Sequence, residues 1–277
     1  MHVSYSARSH AGLVRENNED NLCINTVVMQ PDALVRPFAI DGSAPEPTVL
    51  AVCDGVGGEE NGELASFLAA QNLSYIYSRI QSSTPAPLDE TVWSYVKITN
   101  EAIYGEAQKI GKRMGTTLAL AIVARSGIHC FNIGDSRIYC LDDSTFRQVT
   151  NDHSLAAEKE RNAAHGVRAP IEEKDHHKIT RCLGIGNKTE AESYPPIKIG
   201  SRILICTDGL SDMVHPGYLE KILRSSERAS EAADALINLA LENGGNDNVT
   251  AIVADIKYVK TATGNKITGF LRNIGNR

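Results

Sequence analysis

The stretch "TVLAVCDGVGGEENGELASFLAAQNLSYIYSRI", residues 48–80, decides the fold class. Its first six residues, 48–53, are apolar and β-branched and predict a buried strand. Asp54 and a glycine-rich bend follow. "GELASFLAAQNLSYIYSRI" (62–80) then places Leu64, Phe67, Leu68 and Ile76 on related faces of a helix. In a βαβ alternation a strand would come next. Instead a Ser/Pro connector, "QSSTPAPL", leads into a second helical pattern, "DETVWSYVKITNEAIYGEAQKI" (89–110). Helices in pairs between runs of strands predict an α+β fold, with helix pairs packed on largely antiparallel sheets.

Further β-rich runs lie outward from this stretch: "NLCINTVV" (21–28), "TTLALAIVA" (116–124), "IHCFNI" (128–133), "SRIYCLD" (136–142), "RILICT" (202–207) and "NVTAIVADI" (248–256). A third helical pattern, "ERASEAADALINLALENG", covers 227–244. Residues 155–180 are polar and weakly periodic and read as an irregular, mobile surface lid. No linker is rich enough in Gly, Pro or Ser to demand a second domain. Residues 1–256 read as one catalytic domain, and 257–277 as a short tail with five basic residues and no acid. In that tail Ile267, Phe270, Leu271 and Ile274 have amphipathic helical spacing, which Gly264, Gly269 and Gly275 weaken.

The 277 residues, 42% hydrophobic and 22% charged, are those of a soluble globular protein. A net charge of −6 gives no general attraction to nucleic acid or anionic lipid. The N-terminus shows no apolar signal region, and the run 116–124 is far too short to span a bilayer. The six cysteines form no Cys-x-x-Cys pair; Cys53, Cys130, Cys140 and Cys206 sit in apolar runs and read as buried thiols. A cytoplasmic location is expected.

The glycine bend is not a phosphate loop. Gly57 and Gly62 have P-loop spacing, but Glu63 and Leu64 stand where Lys and Ser or Thr belong. The dinucleotide pattern begins with Gly55-Val56-Gly57 and fails at Glu60. An acid ending a buried run reads better as a ligand for a hard cation. Asp54 follows one such run, Asp208 another in "RILICTDGLSD", and Asp135 a third in "CFNIGDSR". Asp247 precedes a strand in "GGNDNVTAIVADI", and Glu19 and Asp20 precede one in "RENNEDNLCI". A lone Asp-Gly is a common turn. Five strand-end positions carrying acids would repel one another if they converged, unless cations sat between them. Oxygen-only ligands point to Mg²⁺ or Mn²⁺.

In this order the motifs resemble the metal-dependent Ser/Thr protein phosphatases, the PPM or type 2C family, in compact bacterial form. The likeness runs through "GLVRENNEDN", "VCDGVGGEENGELAS", "MGTTLALAIV", "NIGDSRIYCL", "VTNDHS", "HKITRCLG", "ILICTDGLSDMV" and "GGNDNVTAIV", over roughly residues 8–256. It implies a four-layer sandwich of two antiparallel β-sheets flanked by pairs of α-helices, with two Mn²⁺ or Mg²⁺ ions at one end.

By position the resemblance implies that Asp54 bridges both ions and the Gly55 carbonyl binds one. Asp208 and Asp247 would complete the other ion's shell. Glu19 and Asp20 would contribute directly or through water, and Asp135 with Asp208 would match a third metal position. Arg15 would grip the phosphate. The implied reaction is attack on phosphoserine or phosphothreonine by a water bridging the two ions. It would reverse bacterial Ser/Thr kinase signalling, with phosphoproteins, a kinase among them, as partners of a monomeric enzyme. A non-catalytic phosphoprotein binder and a phosphatase of small phosphoesters are the competing readings.

Three departures leave roles open. Val56 stands where some family members carry a histidine proposed as general acid; a water or His153 could serve instead. The 29–47 stretch looks about a dozen residues longer than usual and suggests an added hairpin. His176 and His177 read as residues of the lid, with metal binding as the alternative.

Overall fold

A computed structural model describes residues 1–30, 36–56, 61–82, 87–186 and 188–258. The first half contains β1 (His2–His10), β2 (Asp20–Ile24), β3 (Val27–Val28), β4 (Phe38–Pro45), β5 (Thr48–Val56), α1 (Gly62–Ile80) and α2 (Leu88–Ile110). Then come β6 (Gly115–Thr116), β7 (Leu118–Ala124), β8 (Gly127–Ile133), β9 (Arg137–Leu141), β10 (Phe146–Gln148), α3 (Leu155–Ala164) and α4 (Glu173–His176). The chain closes with β11 (Glu192–Ile197), β12 (Arg202–Cys206), α5 (Asp208–Ser211), α6 (Pro216–Ser225), α7 (Ala229–Glu242) and β13 (Val249–Lys257).

The strands form two antiparallel sheets. One has the order β10-β9-β12-β13-β1-β4, and the other β11-β8-β7-β5-β2-β3 with β6 also on β5. Strand β5 shows why its run is continuously apolar. Leu50 and Val52 enter the core between the sheets with Val3, Leu22, Ile205 and Ile252. Val49, Ala51 and Cys53 point the other way, against α1 and α2. A strand covered on both faces loses the polar alternation of a half-exposed one. On the opposite side Leu204, Ala251 and Val253 meet α6 and α7 through Leu219, Leu223, Leu236 and Ala240. The layers are therefore helix pair, sheet, sheet, helix pair, as the sequence predicts.

Several details differ. The run 21–28 breaks at Asn25, whose φ of 57° turns β2 back into β3. Strands β1, β4, β10 and β11 and helices α5 and α6 lie outside the predicted runs. In β1 the only regular signal is Val3, Tyr5 and Ala7 alternating with polar residues. The described part of 29–47 is no separate hairpin: β4 pairs with β1 along the edge of the first sheet. In α1 the inward face is carried by Ala65, Ala69, Ala70, Leu73 and Ile76, while Leu64, Phe67 and Leu68 are half-buried. Small residues let the helix approach the sheet closely.

The 155–180 segment is also more regular than predicted. Ser154 caps α3 by accepting from the Ala157 N–H, and buried Asp175 ties α4 back to α3 through Lys159 at 2.6 Å. Periodicity fails to reveal α3 because it buries only Ala156. All six cysteines are free thiols, and five of them, including the four expected, are buried. The sequence-based tail lies outside the described residues beyond Tyr258, as do Gly57, Gly58, Glu59 and Glu60 of the glycine bend.

Candidate active site

Both sheets bring strand ends to one place, and the acids sit on those ends. Asp20 and Asp54 are direct cross-strand partners in the β2–β5 ladder. Like charges directly opposite on a sheet are destabilising, so this register needs a reason outside the fold. Asp208, the first residue of α5 after β12, lies within hydrogen-bonding reach of Asp54. Asp135, at the turn after β8, interacts electrostatically with Asp208. Asp247, before β13, shares an open cleft of about 510 Å³ with Asp135 and Asp208.

Burial pushes Asp20, Asp54, Asp135 and Asp208 up. Asp20, fully buried, rises to about 8, first by desolvation and then by the charges of Asp208 and Asp247. Asp54 and Asp135 are raised well above the usual carboxylate range by desolvation and the Asp208 charge. Asp208 rises to about 6 through desolvation and Asp212. Asp54 and Asp208 lie close enough to share a hydrogen bond, and both are raised by burial. Glu19 is also raised, by desolvation and by Glu63.

Backbone and hydroxyl groups hold these acids in place. The Thr117 hydroxyl accepts from the Asp54 N–H at 2.9 Å, and the Asp54 carbonyl accepts from the Thr117 N–H and the Thr116 hydroxyl, both at 2.8 Å. Thr207 donates to Asp20 at 2.8 Å while accepting from the Thr250 N–H. Asn248 accepts from the Glu19 N–H at 2.7 Å and donates to the carbonyls of Ala11 and Asn17. It thereby staples the 11–19 loop to the start of β13. A side chain on Gly12, at φ 83°, would stand 2.3 Å from the Asp247 carbonyl oxygen. That close approach brings Arg15 to Asp247, with an ion pair at 2.8 Å.

Every predicted site residue thus lies at one end of the sandwich. Gly55 adds a packing role: a Cβ there would stand 2.4 Å from the Gly62 backbone and 2.7 Å from the Glu19 carbonyl. Thr207, Thr250, Asn248 and Asp212 belong to the same end and are not singled out by sequence reasoning. Their signal was adjacency to Asp208 and Asp247, which alone says little. His153 is a structural residue. It is fully buried, Nδ1 accepts from the Gly134 N–H, and Nε2 faces Glu192 at 2.9 Å. His177, unlike His153, reaches the cleft, with Nδ1 3.4 Å from Asp212.

The donor set fits hard divalent cations. Asp20 Oδ1 and Asp135 Oδ1 are buried without a hydrogen-bond partner, and buried carboxylate oxygens lacking donors are costly without a cation. Among the described residues, no three His, Cys, Asp or Glu side chains are already gathered tightly enough to enclose an ion.

A family model described as Protein phosphatase 2C matches residues 38–243. The chain belongs to the protein phosphatase 2C family. Among its relatives is the Serine/threonine phosphatase stp of Listeria monocytogenes, 32% identical over 259 residues, spanning 92% of this chain and 96% of that one. The Serine/threonine protein phosphatase PstP of Mycobacterium tuberculosis is 33% identical over 92% of this chain and 45% of its own length. Among solved structures, the catalytic domain of PstP in complex with two manganese ions superposes with a TM-score of 0.74 and 32% identity. That match covers 93% of this chain and all of the solved one. No helix among the described residues is long and apolar enough to cross a membrane.

Proposed function

We propose that this member of the family is a Ser/Thr phosphoprotein phosphatase that works with two Mn²⁺ or Mg²⁺ ions, and a third at an accessory position. The observation that carries this reading is the facing pair Asp20 and Asp54, backed by Asp208, with no cationic side chain of the described residues paired with them. Asp54, Asp20, Glu19, Asp208, Asp247 and the Gly55 carbonyl are assigned as holders of the two ions, and Asp135 with Asp208 as holders of the third. When bound, such ions supply an acidified water and offset the charge on the phosphoryl oxygens.

The chain's own groups do the rest. Thr116 and Thr117 fix the Asp54 backbone, so that carboxylate is aimed before any ion arrives. Arg15, more than half exposed, can exchange Asp247 for two phosphoryl oxygens with its planar fork. His153 is excluded as proton donor to the leaving oxygen because both ring nitrogens are engaged inside the fold. Residues 1–256 constitute the catalytic unit in this reading, acting as a monomer in the cytoplasm on phosphoproteins that include a Ser/Thr kinase.

The test is phosphate release from phosphoserine and phosphothreonine peptides in Mn²⁺, with EDTA as control. Metal-dependent turnover is expected. Peptide binding without turnover in saturating Mn²⁺ would contradict the assignment.

A further inference from the structure

A second cleft, of about 480 Å³, opens beside the acid cluster and has the opposite charge. Arg113, Arg181 and Lys188 line it, against a single acid, Glu190. Among the described residues none of the three cations forms an ion pair or hydrogen bond. All three are exposed, whereas the half-buried Arg8, Arg137 and Arg202 are each paired with an aspartate. In a chain of net charge −6, three unmatched cations around one concavity form a local field that attracts anions.

The wall of this cleft is built rather than loose. Thr116 and Leu183 exchange backbone hydrogen bonds at 3.0 and 2.8 Å. The Asn100 side chain accepts from the Gly184 N–H at 2.8 Å and donates to the Gly186 carbonyl at 3.2 Å. Thr116 is the residue opposite Gly55 in the β5–β6 pair, so the wall is anchored one residue from Asp54. Cys182, on the same wall, interacts electrostatically with both Arg113 and Asp135. The basic cleft and the acid cluster are therefore immediate neighbours.

We propose that this cleft is a substrate subsite for a second anionic group, a phosphoryl or carboxylate, flanking the phosphorylated residue; the proposal rests on the phosphatase reading. Guanidinium forks pair with either anion in bidentate fashion. An extended peptide rises about 3.3 Å per residue, so a flank two to four residues from the reacting one can span neighbouring sites.

The test compares three phosphothreonine peptides: one with neutral flanks, one with glutamate at those flanks, and one with a second phosphoserine. Wild type is expected to favour at least one anionic peptide by about tenfold in KM, decaying with salt. Arg113→Gln with Lys188→Gln should abolish the preference and leave turnover of p-nitrophenyl phosphate unchanged. A gain confined to the second phosphoserine identifies a phosphoryl site; an equal gain with glutamate identifies a general acidic-residue site. Equal KM for all three peptides in wild type, or a preference that survives the double substitution, overturns the proposal.

Should no peptide be hydrolysed, the phosphatase reading fails separately. Fluorescence anisotropy of the labelled peptides in EDTA then judges the subsite alone. Tighter binding of an anionic peptide, lost in the double variant, supports it; equal binding overturns it.

Discussion

Two sets of aspartates in this protein are similarly withdrawn from water and live under opposite conditions. Asp152 is gripped by the Arg137 guanidinium at 2.6 Å, and Asp255 by Arg202 at 2.7 Å. Among the described residues, Asp20, Asp54, Asp135 and Asp208 have no such cation, and Asp20 and Asp135 carry buried oxygens without donors. The first set is neutralised by the fold. In the second, the Thr207 hydroxyl holds the Asp20 carboxylate and Thr116 and Thr117 fix the Asp54 backbone, which positions the acids without cancelling their charge. In the proposed reading, the difference marks where the protein relies on an outside cation.

Replacing one member of each set separates the two conditions. Asp208→Asn should lower phosphopeptide kcat on the order of 10³-fold while leaving the metal-free fold as stable as wild type or more so. Steady-state kinetics and thermal melts check both halves.

The next largest effect is on stability against pH without metal. Folding raises Asp20 from 3.8 to about 8. Between these values the native state holds a proton that the unfolded chain releases, so the Asp20 contribution to stability is fully present below about pH 4 and lost as pH rises. Stability should fall as pH rises and level off above about pH 8. Denaturant melts across that range should show the slope, which Asp54, Asp135 and Asp208 share, and Asp20→Asn should reduce it. A slope of the opposite sign would break the comparison.

Arg137→Ala should leave Asp152 half-buried and unneutralised, costing roughly 2 kcal/mol of stability. Denaturant unfolding measures it, and kcat should change far less than in Asp208→Asn. Arg15→Ala, at an exposed pair, should raise KM for phosphopeptides about tenfold with little change in stability.

The layers were legible because strands buried on both faces, such as β5 and β7, spell continuous apolar runs, and long helices keep their period. Elements at the periphery were not. Strand β4 pairs along one edge with exposed residues in alternation, and α3 buries one alanine. The acids were legible as strand-end residues, yet their convergence is set by pairings such as Asp20 with Asp54, between segments 34 residues apart. No local pattern encodes that register. Asn248 and Thr207 were invisible for the same reason, since each acts by bridging segments distant in sequence. His153 shows the converse, a suggestive residue whose polar atoms are spent inside the fold.

The claim that the unmatched aspartates await cations is tested most directly by titrating Mn²⁺ into the metal-free protein and following Tm. Wild type should rise with Mn²⁺ as binding to the native state demands, and Asp54→Asn should respond weakly or not at all. Identical Mn²⁺ responses from wild type and Asp54→Asn would contradict the account.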